Sequence, residues 1–284
     1  MTQFNKHITI VGSARSGTSW LAETIAAQHR YRLLFEPEHE FNTKKGKLIC
    51  DKLLTKKNTS VEAKHYLKKV FSNRIDSDWI AQCSNRKYKR HLWPLIPKKY
   101  IIKFVRANLA AQYINENFQI PVIHLLRNPY DVIHSQQRVK FPWLYDLSHF
   151  NRQEELVDLV KSSYNFNLHS AEQFSDVEVL TLRWCLENVI PLKNLPPFSY
   201  KSEIVFYEEL RNDLNHFIQL CTNLELKPVK NLVDIYSQPS SKTHPKSEIK
   251  APMSKTSKFK EIEYRRINSI LDIFECDLYS RMSL

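Results

Sequence analysis

The chain has 284 residues, 42% of them hydrophobic and 25% charged, which is ordinary for a soluble globular protein and excludes collagen-like, disordered and coiled-coil classes. Its net charge of +12 favours anionic partners: nucleic acid, acidic lipid or polyphosphorylated small molecules. No apolar run approaches the ~20 residues of a membrane helix, and the N-terminus lacks the apolar core and cleavage site of a secretory signal, so the expectation is a soluble, cytoplasmic protein.

Residues 7–11, HITIV, read as a short buried strand ended by Gly12. Residues 17–29 have helical composition, with Trp20, Leu21, Ile25 and Ala26 near helical spacing. Residues 31–37 read as a second strand ended by Pro37. Residues 40–98 form a Lys-rich insert, with helix around 61–71. Residues 99–105 and 120–126 read as further buried strands, with a helix over 107–118 between them. Pro129 suits a first helical turn, so a helix is expected from there to about 137. The aromatic residues from 138 to 150 read as a loop over a site, opening a lid segment that reaches about 176. Helical patterns follow at 152–173 and 178–191, then a strand at 204–210 running into a helix at 208–222. Residues 237–258, with three prolines and several lysines, read as a long surface loop before a last helix at about 260–276. Strands alternating with helices predict a three-layer α/β fold, a mostly parallel sheet flanked by helices. We take residues 1–284 as a single domain. The five cysteines are scattered and form no C-x-x-C pair, so neither a disulfide framework nor a zinc site of common spacing is expected.

Glycine is the sharper clue. An ordinary chain of this length carries about 20; this one has three, and Gly12 and Gly17 stand six-residue-motif distance apart between the first strand and the first helix. Strand, glycine turn and helix N-terminus point backbone N–H groups and the helix dipole at one place, which suits a phosphate. Ser16, Thr18 and Ser19 can add hydroxyl donors. The spacing G-x-x-x-x-G is P-loop-like, but Thr18 stands where a Walker-type lysine belongs, and the cation is Arg15 inside the loop.

Arg15-Ser16-Gly17-Thr18-Ser19-Trp20 fits the pattern [KR]-S-G-T-[TS]-[WFL] and resembles the 5′-phosphosulfate loop of sulfotransferases that use 3′-phosphoadenosine-5′-phosphosulfate (PAPS). Other marks follow in the family's order. Arg127-Asn128-Pro129, with Ser135 eight residues after Arg127, resembles the 3′-phosphate segment. Phe35-Glu36-Pro37 resembles the F-E-P of carbohydrate-type members, Arg183-Trp184 with Asn188 their R/Y-W-x-x-x-N helix, and Tyr207-Glu208-Glu209-Leu210 the family's Y-E-D-L. The resemblance implies a P-loop-like fold and sulfuryl transfer from PAPS, without a metal, to a hydroxyl or amine of a glycan or small metabolite. It implies a nucleotide site of Arg15, Ser16, Gly17, Thr18, Ser19, Trp20, Arg127, Ser135 and Tyr207. A late basic loop, represented by Lys255 and Lys258, joins that site. Trp20 is left open between stacking on adenine and packing in the core.

An acceptor hydroxyl needs a general base. Glu36 is the first choice, on a strand expected to neighbour the phosphate-loop strand, and His39 is the rival. Arg15 is placed to stabilise charge on the departing phosphate. Arg127 and Ser135 are expected to clamp the 3′-phosphate, the alternative for Arg127 being a salt bridge to Asp131. The alternative functions are a P-loop kinase or NTPase, which lacks its lysine here, and a basic nucleic-acid-binding protein, for which the lysines are dispersed and no known module appears.

Overall fold

The computed structural model describes residues 4–27, 31–75, 77–82, 99–227, 231–241 and 259–282. Its elements in chain order are β1 (Ile8–Val11), α1 (Thr18–Ala26), β2 (Tyr31–Phe35), α2 (Val61–Phe71), α3 (Asp78–Ala81), β3 (Lys99–Lys103), α4 (Ala111–Phe118), β4 (Val122–Leu126) and α5 (Pro129–Val139). There follow α6 (Ser148–Asn151), α7 (Glu154–Tyr164), α8 (Asp176–Val189), β5 (Ser202–Phe206), α9 (Tyr207–Asn212), α10 (Leu214–Asn223), α11 (Leu232–Ser237) and α12 (Glu261–Ile273).

The five strands form one all-parallel sheet in the order β2-β3-β1-β4-β5. Parallel strands covered on both faces read as continuous apolar runs, and β1 and β4 are buried at every position. Alternate residues face opposite layers. Ile8, Ile10, Ile101, Ile123 and Leu125 pack against α1 and α10, while Val11, Tyr100, Ile102 and Val122 pack with α2 and α4. A further core joins α5, α7, α8 and α12 to the segment 139–150. This is the expected three-layer α/β fold.

Local chemistry sets the helix starts. Ser60 caps α2 by accepting from Ala63 N at 3.1 Å, and Asn128 caps α5 ahead of Pro129. Ser175 and Glu178 form a capping box on α8. Two expectations need correction. The helix read over 208–222 is broken at Asp213, whose extended backbone and side chain cap α10 as a separate helix. The strand carrying Glu36 does not neighbour the phosphate-loop strand: β3 lies between β2 and β1. The strand sequences themselves do not encode that order.

Because all five strands run one way, their carboxyl ends share one edge of the sheet, where ligands of open α/β sheets bind. Gly12, Glu36, Arg127 and Tyr207 each follow directly on the end of a strand.

Candidate active site

The turn after β1 is tightly built. Ser16 N donates to Ser13 O at 3.1 Å, and the Ser16 hydroxyl donates to the same oxygen. Ser16 is therefore turned into the loop and shapes it; the expected outward hydroxyl donor is not at that position. Arg15 (φ 75°) and Gly17 (φ 94°) are left-handed on either side of Ser16, an alternation that turns successive N–H groups toward one side. Gly12 is required for close approach, since a Cβ there would lie 2.5 Å from Leu125 O. At Gly17 a Cβ would lie 2.3 Å from the Tyr207 ring. No side chain caps the N-terminus of α1, and its first internal backbone bond runs from Leu21 N to Gly17 O. The N–H groups of Gly17, Thr18 and Ser19 are thus available to an anion.

Three side chains brace this loop from neighbouring elements. Arg127 Nη1 donates to Arg15 O at 2.9 Å, Gln136 Nε2 to Ala14 O at 2.9 Å, and Asn188 Nδ2 to Ser13 Oγ at 2.8 Å. Arg15 Nε donates to Ser135 Oγ at 3.1 Å. The structure therefore brings Arg15 together with Arg127 and Ser135, each over a hundred residues from it in the chain. Burial, and then the nearby charge of Arg127, lowers the pKa of Arg15. Two guanidinium groups pressed together in this way gain from an anion between them. Arg127 stacks on the Tyr207 ring at 4.7 Å, and its Nε is buried without a hydrogen-bond partner. The alternative bridge from Arg127 to Asp131 is present at 4.0 Å, and so does not claim the guanidinium alone.

Trp20 is buried. Its indole Nε1 donates to Tyr236 O at 3.2 Å, its ring meets Tyr207 edge-on at 6.0 Å, and Arg211 covers it at 4.8 Å. The core half of the open choice for Trp20 describes this arrangement. Thr18 is buried and Ser19 half-buried at the start of α1. Lys255 and Lys258 lie outside the described residues.

On the other side of the site, Glu36 (φ 42°) follows β2 and is ion-paired through Oε1 with Lys103 Nζ at the end of β3. The lysine side chain is only 3% exposed and lies 4.2 Å from the Phe35 ring centre. Lys103 is opposite Ile10 of β1, so this cation stands between Glu36 and the phosphate-loop strand. Glu38 is fully buried, and its Oε1 accepts from Val105 N at 2.6 Å and Arg106 N at 3.0 Å. Burial, reinforced by the charge of Glu36, raises the Glu38 pKa to about 7. His39 packs on Trp79 at 4.6 Å, with Asn42 Nδ2 at 3.2 Å from its Nδ1, and burial lowers its pKa.

A buried charge network joins the two sides. Asp51 Oδ2 accepts from Arg106 Nε at 2.8 Å, Arg106 Nη2 at 2.6 Å and Arg183 Nη1 at 3.3 Å. Arg183 also donates to Leu144 O, Trp143 O and Asp146 O in the segment before α6, and to Glu187 at 3.1 Å. Arg106 reaches Glu40 at 2.9 Å, and Glu40 pairs with His149 at 2.9 Å. Burial lifts the Glu187 pKa to about 7 despite Arg183.

Sequence reasoning did not pick out Lys103, Glu38, Asp51, Arg106 or Gln136. A signal existed for one of them. A lysine at the end of the apolar run KYIIK, such as Lys103, must find a buried partner.

No family model matches the chain, and no curated protein does. Among solved structures it is similar to the sulfotransferase domain from the curacin biosynthetic pathway, at 18% identity over 84% of this chain and 81% of that one, with TM-score 0.41. It is similar to mouse sulfotransferase SULT7A1 complexed with PAP, at 14% identity over 96% and 84%, TM-score 0.41. A sulfotransferase from Alicyclobacillus acidocaldarius is similar at 10% identity over 95% and 94%, TM-score 0.40.

Proposed function

We propose that this chain is a PAPS-dependent sulfotransferase, acting in the cytoplasm on a hydroxyl or amine of a carbohydrate or small metabolite. The observation that carries the reading is the convergence of Arg15, Arg127 and Ser135 on the uncapped N-terminus of a helix that follows a glycine-bracketed loop. The residues fit an anionic nucleotide: the buried Nε of Arg127 lacks a hydrogen-bond partner, and burial together with the charge of Arg127 lowers the pKa of Arg15 beside it. The motif resemblance supplies the identity of the nucleotide.

In this reading the loop N–H groups of Gly17, Thr18 and Ser19 hold the 5′-phosphosulfate, and Arg127 with Ser135 holds the 3′-phosphate. Tyr207 supports Arg127 from below, and the resemblance alone adds Lys255 and Lys258. The nucleotide supplies the sulfuryl group when bound. Arg15 stabilises negative charge building on the departing phosphate, as a fixed cation that keeps its proton. Glu36 accepts the acceptor's proton at its carboxylate, and Lys103 orients that carboxylate through their ion pair. The carboxylate stands two strands from β1, about 10 Å at ordinary strand spacing, which leaves room for an acceptor between them.

Calorimetric titration tests the reading. 3′-Phosphoadenosine 5′-phosphate (PAP) is expected to bind far more tightly than AMP, and Arg127→Ala is expected to erase most of that difference. Equal affinity for PAP and AMP in the native chain would sink the 3′-phosphate assignment.

A further inference from the structure

A cavity of about 970 Å³ lies between the turn after β2 and helices α2 and α3. That is the size of a small-molecule site. It adjoins the proposed base through shared bonds. Trp79, in its wall, donates from Nε1 to Glu36 O at 3.2 Å and packs on His39. Thr43 and Tyr66, also in the wall, donate to Pro37 O at 2.9 and 2.6 Å. The cavity is therefore built onto the back of the turn that carries Glu36 and His39.

Its charge is one-sided. Lys44, Lys45, His65, Lys69 and Arg74 line it, against Glu62 and Asp78. Among the described residues no carboxylate forms an ion pair with Lys44, Lys69 or Arg74. Unpaired cations around a concave aromatic wall focus positive potential into the cavity. Val61, which also lines it, is 81% exposed, so apolar surface lies beside the charge.

Position then limits the shape of the occupant. None of the described lining residues comes from β1, β4 or the phosphate loop. Glu36 itself stands about two strand spacings, roughly 10 Å, from β1. A single ring cannot fill this cavity and also present a hydroxyl beside Arg15. An extended acceptor can, if one unit is anchored by its charge and a neighbouring unit offers the hydroxyl. Glycan chains meet this demand, since every unit carries hydroxyls and a flat face suited to Trp79, and uronate units carry the anion.

We propose that this cavity is an acceptor subsite for an acidic glycan chain, which it grips by a carboxylate (or an existing sulfate) one or more units away from the hydroxyl presented to Glu36. The proposal rests on the sulfotransferase reading for its function, but its binding claim stands apart from it.

Calorimetry with PAP present tests it, using a tetrasaccharide of alternating hexuronate and N-acetylhexosamine, its carboxyl-reduced neutral form, and a glutamate-rich peptide. The acidic tetrasaccharide is expected to bind at least about tenfold more tightly than the neutral one, with affinity falling as salt rises. Lys69→Glu combined with Arg74→Glu is expected to lower that affinity by about tenfold or more, while the affinity for PAP stays as in the native chain. Equal binding of the neutral form, tighter binding of the peptide, absence of acidic-tetrasaccharide binding, or indifference to the charge reversal would each overturn the proposal. Failure of PAP to bind, with the charge-dependent saccharide binding intact, would instead overturn the nucleotide reading and leave the subsite standing.

Discussion

Gly17 lies where the loop after β1, the Tyr207 ring and the proposed clamp of Arg127 meet, and Gly17→Ala tests whether they form one unit. A Cβ at this position faces two costs. The backbone is at φ 94°, where an L side chain is strained by about 1 kcal/mol or somewhat more. The new methyl would also lie 2.3 and 2.4 Å from two carbons of the Tyr207 ring, so the ring must move by about 1 Å or more, an overpacking that typically costs about 1–3 kcal/mol. The expected loss is about 2–4 kcal/mol, a large share of an ordinary domain's stability. Tyr207 cannot move alone, because Arg127 stacks on it at 4.7 Å and Trp20 meets it at 6.0 Å. PAP affinity should therefore fall along with stability. Tyr207→Ala removes the clash and leaves the backbone strain, so urea unfolding of the native chain, both single variants and the double variant should give a coupling of about 1–3 kcal/mol in favour of the double. Additivity within about 0.5 kcal/mol would refute the clash, and an unaltered PAP affinity in Gly17→Ala would refute the link from Tyr207 to Arg127.

Arg15→Ala should lower kcat on the order of a hundredfold while weakening PAP binding much less, because its contribution grows in the transition state; equal losses in both would make it an anchor for the nucleotide. Glu36→Gln keeps an acceptor for Lys103, so PAP affinity should persist while turnover falls about a hundred- to ten-thousandfold. His39→Ala should do less, and the reverse order would exchange their roles. Glu38 carries a pH signature. Its folded pKa is raised from 4.5 to about 7, so its stabilising contribution is complete below about 4.5 and is lost as pH rises through about 7. From about pH 5 to about pH 8 Glu38 should add a downward slope to the melting temperature, set against the upward contribution of His7 and His124, which burial lowers to about 4. Glu38→Gln should flatten that slope without abolishing it, since Glu187 is raised in the same direction. An unchanged slope would show that Glu38 is charged in the fold throughout.

The strands were legible in the sequence because buried parallel strands write themselves as short β-branched runs. Ile8–Val11, Tyr31–Phe35, Lys99–Lys103 and Val122–Leu126 fall within the stretches so read, and β5 begins two residues before its expected start. The phosphate loop was legible because glycine is scarce elsewhere, and both of its glycines have a steric reason to be there. Relations between strands were not legible. Nothing in HITIV or YRLLF says that KYIIK lies between them, and so Lys103 was not seen as the partner of Glu36. The Asp51–Arg106–Arg183 network was hidden for the same reason. Asp51 and Arg106 look like ordinary surface charges, and Arg183 like a motif residue, until three distant segments are superposed.

That superposition bears on the order in which the protein is assembled. Asp51 meets Arg106 across 55 residues of chain and Arg183 across 132. A nascent chain can pair the first two while Arg183 is still unmade, and loops this long close slowly. Until α8 docks, the carbonyls of Trp143, Leu144 and Asp146 lack the guanidinium they accept from. Docking of α8 thus joins Asp51, the segment 143–146 and the Ser13 end of the loop after β1 through one helix. Native-state hydrogen exchange should accordingly show amides in these segments opening together, as one cooperative unit.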